Sequence, residues 1–313
     1  MDAGNMNTAP GKVLLSGASG MLGAALRTAL QSRNAPVSQQ VLQLVRRPPV
    51  SSVELQWNPA SDKPIAATEP LEGLTAAIHL SGANVAARRW TPAYRREVAA
   101  SRVDSTHALV TMLAGLHRPP QALLVASATG IYGDRGDELL DESSPPGSGF
   151  LADVCRAWEA AAQPALEAGI RVVHLRFGVV IGPGAGALVK MLPAFRMGLG
   201  GRLGSGRQWM SWIGLADLVA AVLFAQARAT LAGPLNLVSP NPVTNAQFTR
   251  ALAHRLHRPA IMPVPAFALR LAMGQMADEA LLASARVVPG KLLEAGFRFT
   301  QPTVEEALAA ALQ

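Results

Sequence analysis

The chain has 313 residues, of which 50% are hydrophobic and 16% are charged, with a single cysteine and a formal net charge of +7. This composition excludes a disordered chain, an intrachain disulfide and a zinc site built from several cysteines. The positive charge comes from 24 arginines and 4 lysines that are scattered along the sequence. Without a lysine-rich tail or an aromatic-interleaved basic stripe, we expect an anionic small molecule as the ligand and not a nucleic acid.

No apolar run reaches the roughly 18 residues that span a bilayer. The first residues, MDAGNMNTAPGK, lack the basic flank and apolar core of a secretory signal. We therefore expect a cytoplasmic protein without membrane contact, and a disordered N-terminus over residues 1–11. The six histidines show no metal-ligand spacing, so no metal is expected.

Short apolar runs alternate with helical patterns along the first 182 residues. Nearly continuous apolar strands separated by helices predict an α/β fold with a doubly wound parallel sheet of the Rossmann type. The predicted strands are Val13–Ser16, Val41–Val45, Ala76–Leu80, Ala122–Ser127 and Val172–Gly182, and the predicted helices are Met21–Gln31, about Pro92–Leu116 and about Leu151–Ala168.

The pattern loosens after residue 182. We expect a dinucleotide-binding domain over 12–182, to which 211–240 returns with a strand in GPLNLVSP. The stretches 183–210 and 241–313 are expected to form a smaller, mostly helical substrate region. Near the end, Thr303 and Glu306 match the spacing of a helix capping box.

A glycine-punctuated turn, GASGMLG, joins the first predicted strand to the first helix. In a dinucleotide site Gly17 would allow the tight turn, Gly20 would let the backbone approach a pyrophosphate, and Gly23 would let helix and strand pack closely. The helix N-terminus favours an anion. The predicted contacts include the turn residues Ser19, Met21 and Leu22. The alternative is a purely structural turn.

The end of the second strand indicates which dinucleotide binds. NAD sites usually carry Asp or Glu there, whereas an arginine accommodates a 2′-phosphate. This chain has Arg46 and Arg47, with no carboxylate until Glu54. Arg46 can present a bidentate fork to phosphate, and Arg47 can add charge or stack on adenine. The expected cofactor is NADP(H), and the alternative is two solvated arginines.

Several stretches resemble the short-chain dehydrogenase/reductase superfamily, in an atypical group of its extended, epimerase-like branch. The matching text is HLSGANVAARRW, SRVDSTHAL, HLRFGVVIGPGAGAL, GLGGRLGSGRQWMSWIGLADL and RVVPGKLLEAGFRF. The resemblance implies that Leu80, Ser81 and Gly82 pass beneath the adenosine and phosphates, and that Val180 lies beside the nicotinamide.

The same resemblance places Glu97 and Arg102 toward the ribose and phosphates of the cofactor. The two residues are five positions apart in the long helix that follows the third predicted strand. From the residues alone, the simpler interpretation is a solvated pair on a helix surface.

The resemblance fails at the chemical step. Enzymes of the superfamily usually move a proton with a Tyr that is assisted by a Lys four residues later. Neither tyrosine of this chain has such a lysine. At the expected place, Phe150 or Leu151 replaces the tyrosine, and Val154 or Cys155 replaces the lysine. The atypical group also lacks the pair.

Three other side chains are candidates for proton transfer. Ser127 ends a strand where the superfamily has its substrate-orienting serine, Thr129 follows in the next loop, and Glu159 lies on the helix that would have carried the lysine. A buried Glu159 beside Trp158 would be a general acid. The alternatives are that Ser127 bonds to the backbone and that Glu159 pairs with an arginine.

The predicted substrate side contains Tyr132, Arg207, Gln208 and Trp209. Aromatic side chains with an arginine suit a sugar, phosphorylated or planar ligand. The alternatives are that Tyr132 packs under its loop and that Trp209 and Trp212 anchor the core, which is the interpretation we prefer for Trp212.

Two functions follow from these patterns. The first is an NADP(H)-dependent oxidoreductase or epimerase-like enzyme that acts on a carbonyl or alcohol of a small molecule. The second is a non-catalytic NADP(H)-binding sensor or regulator, motivated by the missing Tyr–Lys pair. By analogy with the superfamily, a homodimer would form through the helices near 92–116 and 151–168.

Overall fold

The computed structural model describes residues 11–32, 39–184 and 186–313. The predicted disorder of residues 1–11 lies outside this range, except for Gly11. The strands are β1 (Lys12–Ser16), β2 (Gln40–Val45), β3 (Glu54–Gln56), β4 (Ala76–His79), β5 (Ala122–Ala128), β6 (Leu139–Leu140), β7 (Arg171–Phe177), β8 (Val179–Ile181), β9 (Trp209–Met210), β10 (Trp212–Gly214), β11 (Gly233–Leu237), β12 (Val243–Thr244) and β13 (Arg286–Val287).

The helices are α1 (Met21–Gln31), α2 (Pro92–Ala114), α3 (Phe150–Ala160), α4 (Gln163–Glu167), α5 (Gly186–Arg196), α6 (Leu215–Ala227), α7 (Asn245–Leu256), α8 (Ala266–Met273), α9 (Gly290–Glu294) and α10 (Val304–Ala311). Short 3-10 turns cover Glu69–Leu71 and Thr129–Tyr132, and Ala277–Leu282 is π-helical.

A seven-stranded parallel sheet organises the chain, in the order β11-β7-β5-β4-β1-β2-β3. The order reverses between β1 and β4, which is the switch point where doubly wound sheets bind ligands. The predicted Rossmann-type fold is confirmed. The return of the chain to the sheet near residue 235 is seen in β11, whereas the domain boundaries stay a prediction.

Helices cover both faces of the sheet, which explains why its central strands are apolar on both sides. On one face α1 and α6 bury Leu26 and Leu218 against the sheet. On the other face α2 buries Leu109 and Leu113 against it. Each fully buried leucine contributes roughly 1.5–3 kcal/mol of transfer free energy.

Two predicted elements are divided in the structure. The helix expected over 151–168 ends at Ala160, and Pro164 lies in the first turn of the separate helix α4. Proline has no backbone N–H, so it suits the start of a helix and not the interior. The strand expected over 172–182 breaks at Gly178, where a Cβ would lie 2.6 Å from the carbonyl oxygen of Ser211. Beyond this break β8 leaves the sheet and pairs with β10.

A third core holds the C-terminal region together. Trp212 is fully buried and packs with Phe248 and Leu308, which agrees with its interpretation as a core anchor. The predicted capping box is present, with Glu306 accepting from the Thr303 N–H at 2.9 Å. Within the described ranges no helix is long and apolar enough to cross a membrane.

Candidate functional site

The glycine turn has the geometry of a phosphate cradle. Gly17 has φ +72°, and Gly20 donates its N–H to the Gly17 carbonyl at 3.1 Å. A Cβ at Gly23 would lie 2.1 Å from that same carbonyl oxygen, so only glycine allows this approach of helix and strand. At Gly20 the nearest atom to a Cβ is 3.5 Å away, and Ser19 and Gly20 are exposed. No described side chain caps α1, so its first N–H groups suit an anion.

The first residues of α1 lie close to β8 and to Gly182, which follows it. Met21 and Leu22 are half-buried. The Met21 sulfur lies 3.4 Å from the place of a Cβ on Gly182, and Leu22 and Val180 pack against the same core. The structure therefore brings half-buried Val180 to the cradle side, where a nicotinamide beside it would meet apolar surface.

The two arginines after β2 differ in their partners. Arg47 donates two hydrogen bonds to the Glu54 carboxylate at 2.7 and 2.8 Å. The hydrogen bond from Arg47 holds the pKa of Glu54 below its usual value. Arg46 is exposed and makes no hydrogen bond or ion pair with any residue in the described ranges. Arg46 is therefore the arginine free to bind an added phosphate.

A buried hydrogen-bond chain supports the segment after β4. Ser16 Oγ accepts from the Leu80 N–H at 3.0 Å and lies 2.7 Å from His79 Nδ1. His79 Nε2 lies 3.3 Å from Ser105 Oγ, which donates to the Ser101 carbonyl at 2.7 Å. Burial lowers the pKa of His79 to about 4, so the ring is neutral. The Ser105 hydroxyl already donates to Ser101, so it accepts from His79 Nε2. The proton of the neutral ring is therefore on Nε2, and Nδ1 accepts from the Ser16 hydroxyl.

Arg102 lies against the expected floor of the cofactor, and Glu97 does not. The Arg102 guanidinium donates to the Ala83 carbonyl at 3.0 Å and would lie 3.3 Å from a Cβ on Gly82. Burial lowers the pKa of Arg102. Ser81 and Gly82 lie in the irregular segment after β4, to which Arg102 is joined by its hydrogen bond to Ala83. Glu97 is exposed and pairs with Arg88 at 3.5 Å, which is the simpler arrangement considered for it.

Two of the residues considered for the places of the superfamily's Tyr and Lys lie near the turn after β5. Leu151 lies at the turn after β5, where its Cβ is 3.4 Å from the place of a Cβ on Gly130. One helical turn later, Cys155 is buried. Burial raises the pKa of Cys155 to about 11, so the thiol is not a nucleophile near neutral pH. Neither residue can transfer a proton as the usual pair does.

A second buried network lies behind these residues. Ser127 is 1% exposed, and its hydroxyl donates to Glu159 at 2.7 Å. Arg176 donates to both oxygens of Glu159 at 2.8 Å and to the Tyr132 hydroxyl at 2.9 Å. Tyr132 donates in turn to Asn236 at 2.8 Å. Each strong donor and acceptor of this network is used inside the protein.

The network explains the charge state of Glu159. Burial alone would raise its pKa, but hydrogen bonds and charge from Arg176 outweigh burial and hold the pKa below its usual value. An ionised carboxylate cannot donate a proton, so the geometry gives no support to Glu159 as a general acid. Tyr132 is fully buried, and this agrees with packing under its loop. Thr129 is half-buried and donates a long bond, 3.3 Å, to the Phe177 carbonyl.

The predicted substrate residues divide in the same way. Gln208 is buried and holds two loops through the Leu203 and Leu281 carbonyls. Arg207 is exposed. Trp209 is half-buried and donates its indole N–H to Asp137 at 2.7 Å.

The sequence interpretation missed Arg286, whose guanidinium carbon lies 4.4 Å from the centre of the Trp209 ring. Its only signal in the sequence was its place at the start of the RVVPGKLLEAGFRF stretch. Among the residues that the structure describes, no group of three His, Cys, Asp or Glu could hold a metal ion.

Comparison with known proteins tests the family. The sequence model of the NAD dependent epimerase/dehydratase family matches residues 13–237. The chain belongs to this family. A domain of unknown function, DUF1731, matches residues 264–311. The chain is 44% identical over 298 residues to epimerase family protein Mb2239 of Mycobacterium bovis, covering 95% of this chain and 96% of that one.

Two further relatives extend the comparison to animals. Epimerase family protein SDR39U1 of Bos taurus is 35% identical over 301 residues, which cover 95% of this chain and 98% of that protein. The crystal structure of human epimerase family protein SDR39U1 (isoform 2) with NADPH superposes with a TM-score of 0.86 at 31% identity, covering 96% of this chain and 98% of that one. The resemblance to an atypical epimerase-like group is thereby confirmed, and the expected cofactor agrees with the NADPH bound to the human protein.

Proposed function

We propose that this chain is an NADP(H)-dependent oxidoreductase that moves hydride between the nicotinamide and a carbonyl or alcohol of a small molecule. The observation that carries the proposal is the pairing of an open glycine cradle with Arg46, at the end of β2, which has no partner among the described residues. Both features suit the phosphates of NADP(H). The NADPH in the human relative supports the same choice.

The cradle residues would hold the cofactor as follows. The N-terminus of α1, with Ser19 and Gly20, would receive the pyrophosphate, and Arg46 would bind the 2′-phosphate. Leu80 to Gly82 would lie beneath the adenosine side, braced by Arg102. Bound NADP(H) supplies the hydride donor or acceptor, which no side chain of the protein can provide.

Proton transfer is the step that this chain must solve without the usual pair. Of the three side chains considered, Ser127 and Glu159 are committed to the buried network. Thr129 is half-buried at the same edge of the sheet, and its 3.3 Å bond to Phe177 is long. We assign to Thr129 the hydroxyl that passes a proton between the substrate oxygen and water: it donates its own proton to the substrate and takes one back from solvent, while Ser127 and Glu159 keep the adjacent turn in place.

Consumption of NADPH with a panel of aldehydes and ketones tests this assignment. We expect turnover by the wild type and a loss of about 10²-fold or more in Thr129→Val, because a positioned acid contributes about that factor. Thr111→Val, which changes an exposed threonine on α2, is the matched control and should keep full activity. Equal turnover by Thr129→Val and wild type would remove Thr129 from the mechanism.

A second function is favoured by a separate observation, the absence of a Tyr-x-x-x-Lys pair from the sequence. A protein that binds NADPH without turning it over would act as a sensor of the cofactor. In that case NADPH would stabilise the chain against thermal unfolding, and no carbonyl compound would deplete it. The cytoplasmic location and the homodimer stay predictions beside either function.

A further inference from the structure

Arg286 is a half-buried cation without an acceptor. Its Nε is buried and has no hydrogen-bond partner, and across the described ranges the side chain makes no hydrogen bond or ion pair. A guanidinium offers five N–H donors in a fixed fork, and leaving a buried one such as this Nε–H unpaired costs free energy. An arginine in this state is a candidate ligand for an anion.

The side chain is held in place by an aromatic ring. Its guanidinium carbon lies 4.4 Å from the centre of the Trp209 ring, within the range of a cation–π contact. Trp209 is fixed in turn by its hydrogen bond to Asp137. The stack therefore presents a pre-organised cation, and little ordering is needed when a ligand binds.

The two carboxylates at 137 and 138 make no ion pair with Arg286. Asp137 accepts from the Trp209 indole, and Glu138 accepts from Arg135 at 2.6 and 2.8 Å. Neither of them pairs with Arg286. Among the residues that the structure describes, Arg286 has no ion-pair partner, so its charge is available to an anionic ligand.

Three separate segments meet at this stack on the ligand side of the fold. Asp137 belongs to the connection that leaves the carboxyl end of β5. Ser211, two residues after Trp209, lies against Gly178, which directly follows β7, and it accepts the Val287 N–H at 2.8 Å. Ligands of α/β folds bind outside the carboxyl ends of the strands.

We infer that Arg286 and Trp209 form a subsite for an anionic group, a phosphate or a carboxylate, on the small-molecule substrate. This inference rests on the proposed function for its assignment to the substrate and not to the cofactor. Arg286 provides the fork that binds the anion, and the ring of Trp209 holds the fork and covers the adjoining part of the ligand.

Tryptophan emission can detect binding at this place. Trp209 is half-buried, whereas the other four tryptophans (Trp57, Trp90, Trp158 and Trp212) are buried. The purified chain is titrated with inorganic phosphate and separately with acetate, with chloride keeping the ionic strength constant. We expect a saturable change for at least one anion. A response to phosphate alone indicates a phosphorylated substrate, and a response to acetate indicates a carboxylate.

Variants separate the subsite from general anion binding. Arg286→Gln should lower the affinity for the anion at least about tenfold, because a charge-assisted hydrogen bond is lost. Arg286→Lys should weaken it less, since the charge remains while the fork is lost. Arg270→Gln, at an exposed arginine paired with Asp278, should bind like the wild type. If Arg286→Gln unfolds early, Arg286→Lys carries the comparison.

The proposal is overturned if neither anion gives a saturable change, or if the Arg286 variants respond like the wild type. NADPH binding, followed by its own fluorescence in a separate titration, keeps the two proposals apart. If the wild type does not bind NADPH but its Trp209 emission still responds to the anion, the proposed function is wrong and the anion subsite is retained.

Discussion

The cradle at the start of α1 and the network behind Leu151 lie at the same edge of one sheet, yet they treat polar groups in opposite ways. In the cradle, Ser19 and Gly20 are exposed, and Arg46 has no partner within the described residues. In the network, Ser127, Glu159 and Tyr132 are all bonded to other protein groups. One region keeps its donors for a ligand, and the other has used them for the fold.

The difference separates what cofactor binding needs from what proton transfer needs. Binding needs open N–H groups and a free cation, and both remain. Proton transfer needs a group that can change its charge near neutral pH. The chain has no Tyr-x-x-x-Lys pair, and burial raises the pKa of nearby Cys155 to about 11. The cradle fits the cofactor that the human relative binds, and turnover is the part of the proposal that Thr129→Val tests.

Breaking the buried network should give the largest effect. Arg176→Leu leaves the Glu159 carboxylate buried without its cation, so we expect a loss of about 3–5 kcal/mol in the free energy of unfolding. Urea unfolding measures it. Arg270→Leu, which removes an exposed ion pair, is the control and should change stability by less than about 1 kcal/mol. Similar losses in the two variants would mean that the network is not a structural unit.

The glycines of the cradle should separate stability from binding. Gly23→Ala places a Cβ 2.1 Å from a backbone oxygen and should lower stability by about 3 kcal/mol. Gly20→Ala meets ordinary contact distances, so it should fold normally and bind NADPH more weakly. Thermal unfolding and an NADPH titration of both variants check this. A Gly23→Ala protein as stable as the wild type would contradict the packing described for α1.

Acid should loosen the floor beneath the cofactor. His79 has an ordinary pKa of 6.5 and a folded value of about 4, so protonation favours the unfolded chain. The contribution of neutral His79 to the free energy of unfolding is complete above pH 6.5. It is lost as the pH falls toward 4, by at most about 1.4 kcal/mol per pH unit.

Unfolding measured between these pH values should show a smaller slope in His79→Asn than in the wild type. His174 also has a pKa that burial lowers, so His174→Asn is the matched comparison and should keep the His79 part of the slope. An unchanged slope in His79→Asn would show that this ring is not held neutral by the fold.

Local patterns in the sequence were enough to predict the sheet, the cradle and the cofactor. Apolar strands separated by helices define the sheet, and Gly17 and Gly23 each have a local steric role. The breaks at Gly178 and before Pro164 were both missed. The break at Gly178 depends on the approach of Ser211, which belongs to a distant segment of the chain.

The chemistry of the site was harder to predict, since the state of a polar side chain depends on its partners. Glu159 is an acid candidate in the sequence and an ionised partner of Arg176 in the fold. The two arginines after β2 look equivalent until Glu54 is seen to bind only Arg47. Arg286 lies 77 residues from Trp209 in the numbering, and no spacing rule connects them.

The most direct test of the account is a titration of NADPH and NADH into the wild type, Arg46→Ala and Arg47→Ala. We expect the wild type to bind NADPH more tightly than NADH, and Arg46→Ala to lose at least about tenfold in NADPH affinity while its NADH affinity is unchanged. Arg47→Ala should lose less, because Glu54 already holds that side chain. Equal binding of the two nucleotides by the wild type, or no binding of either, would contradict the central claim that the open cradle and Arg46 hold NADP(H).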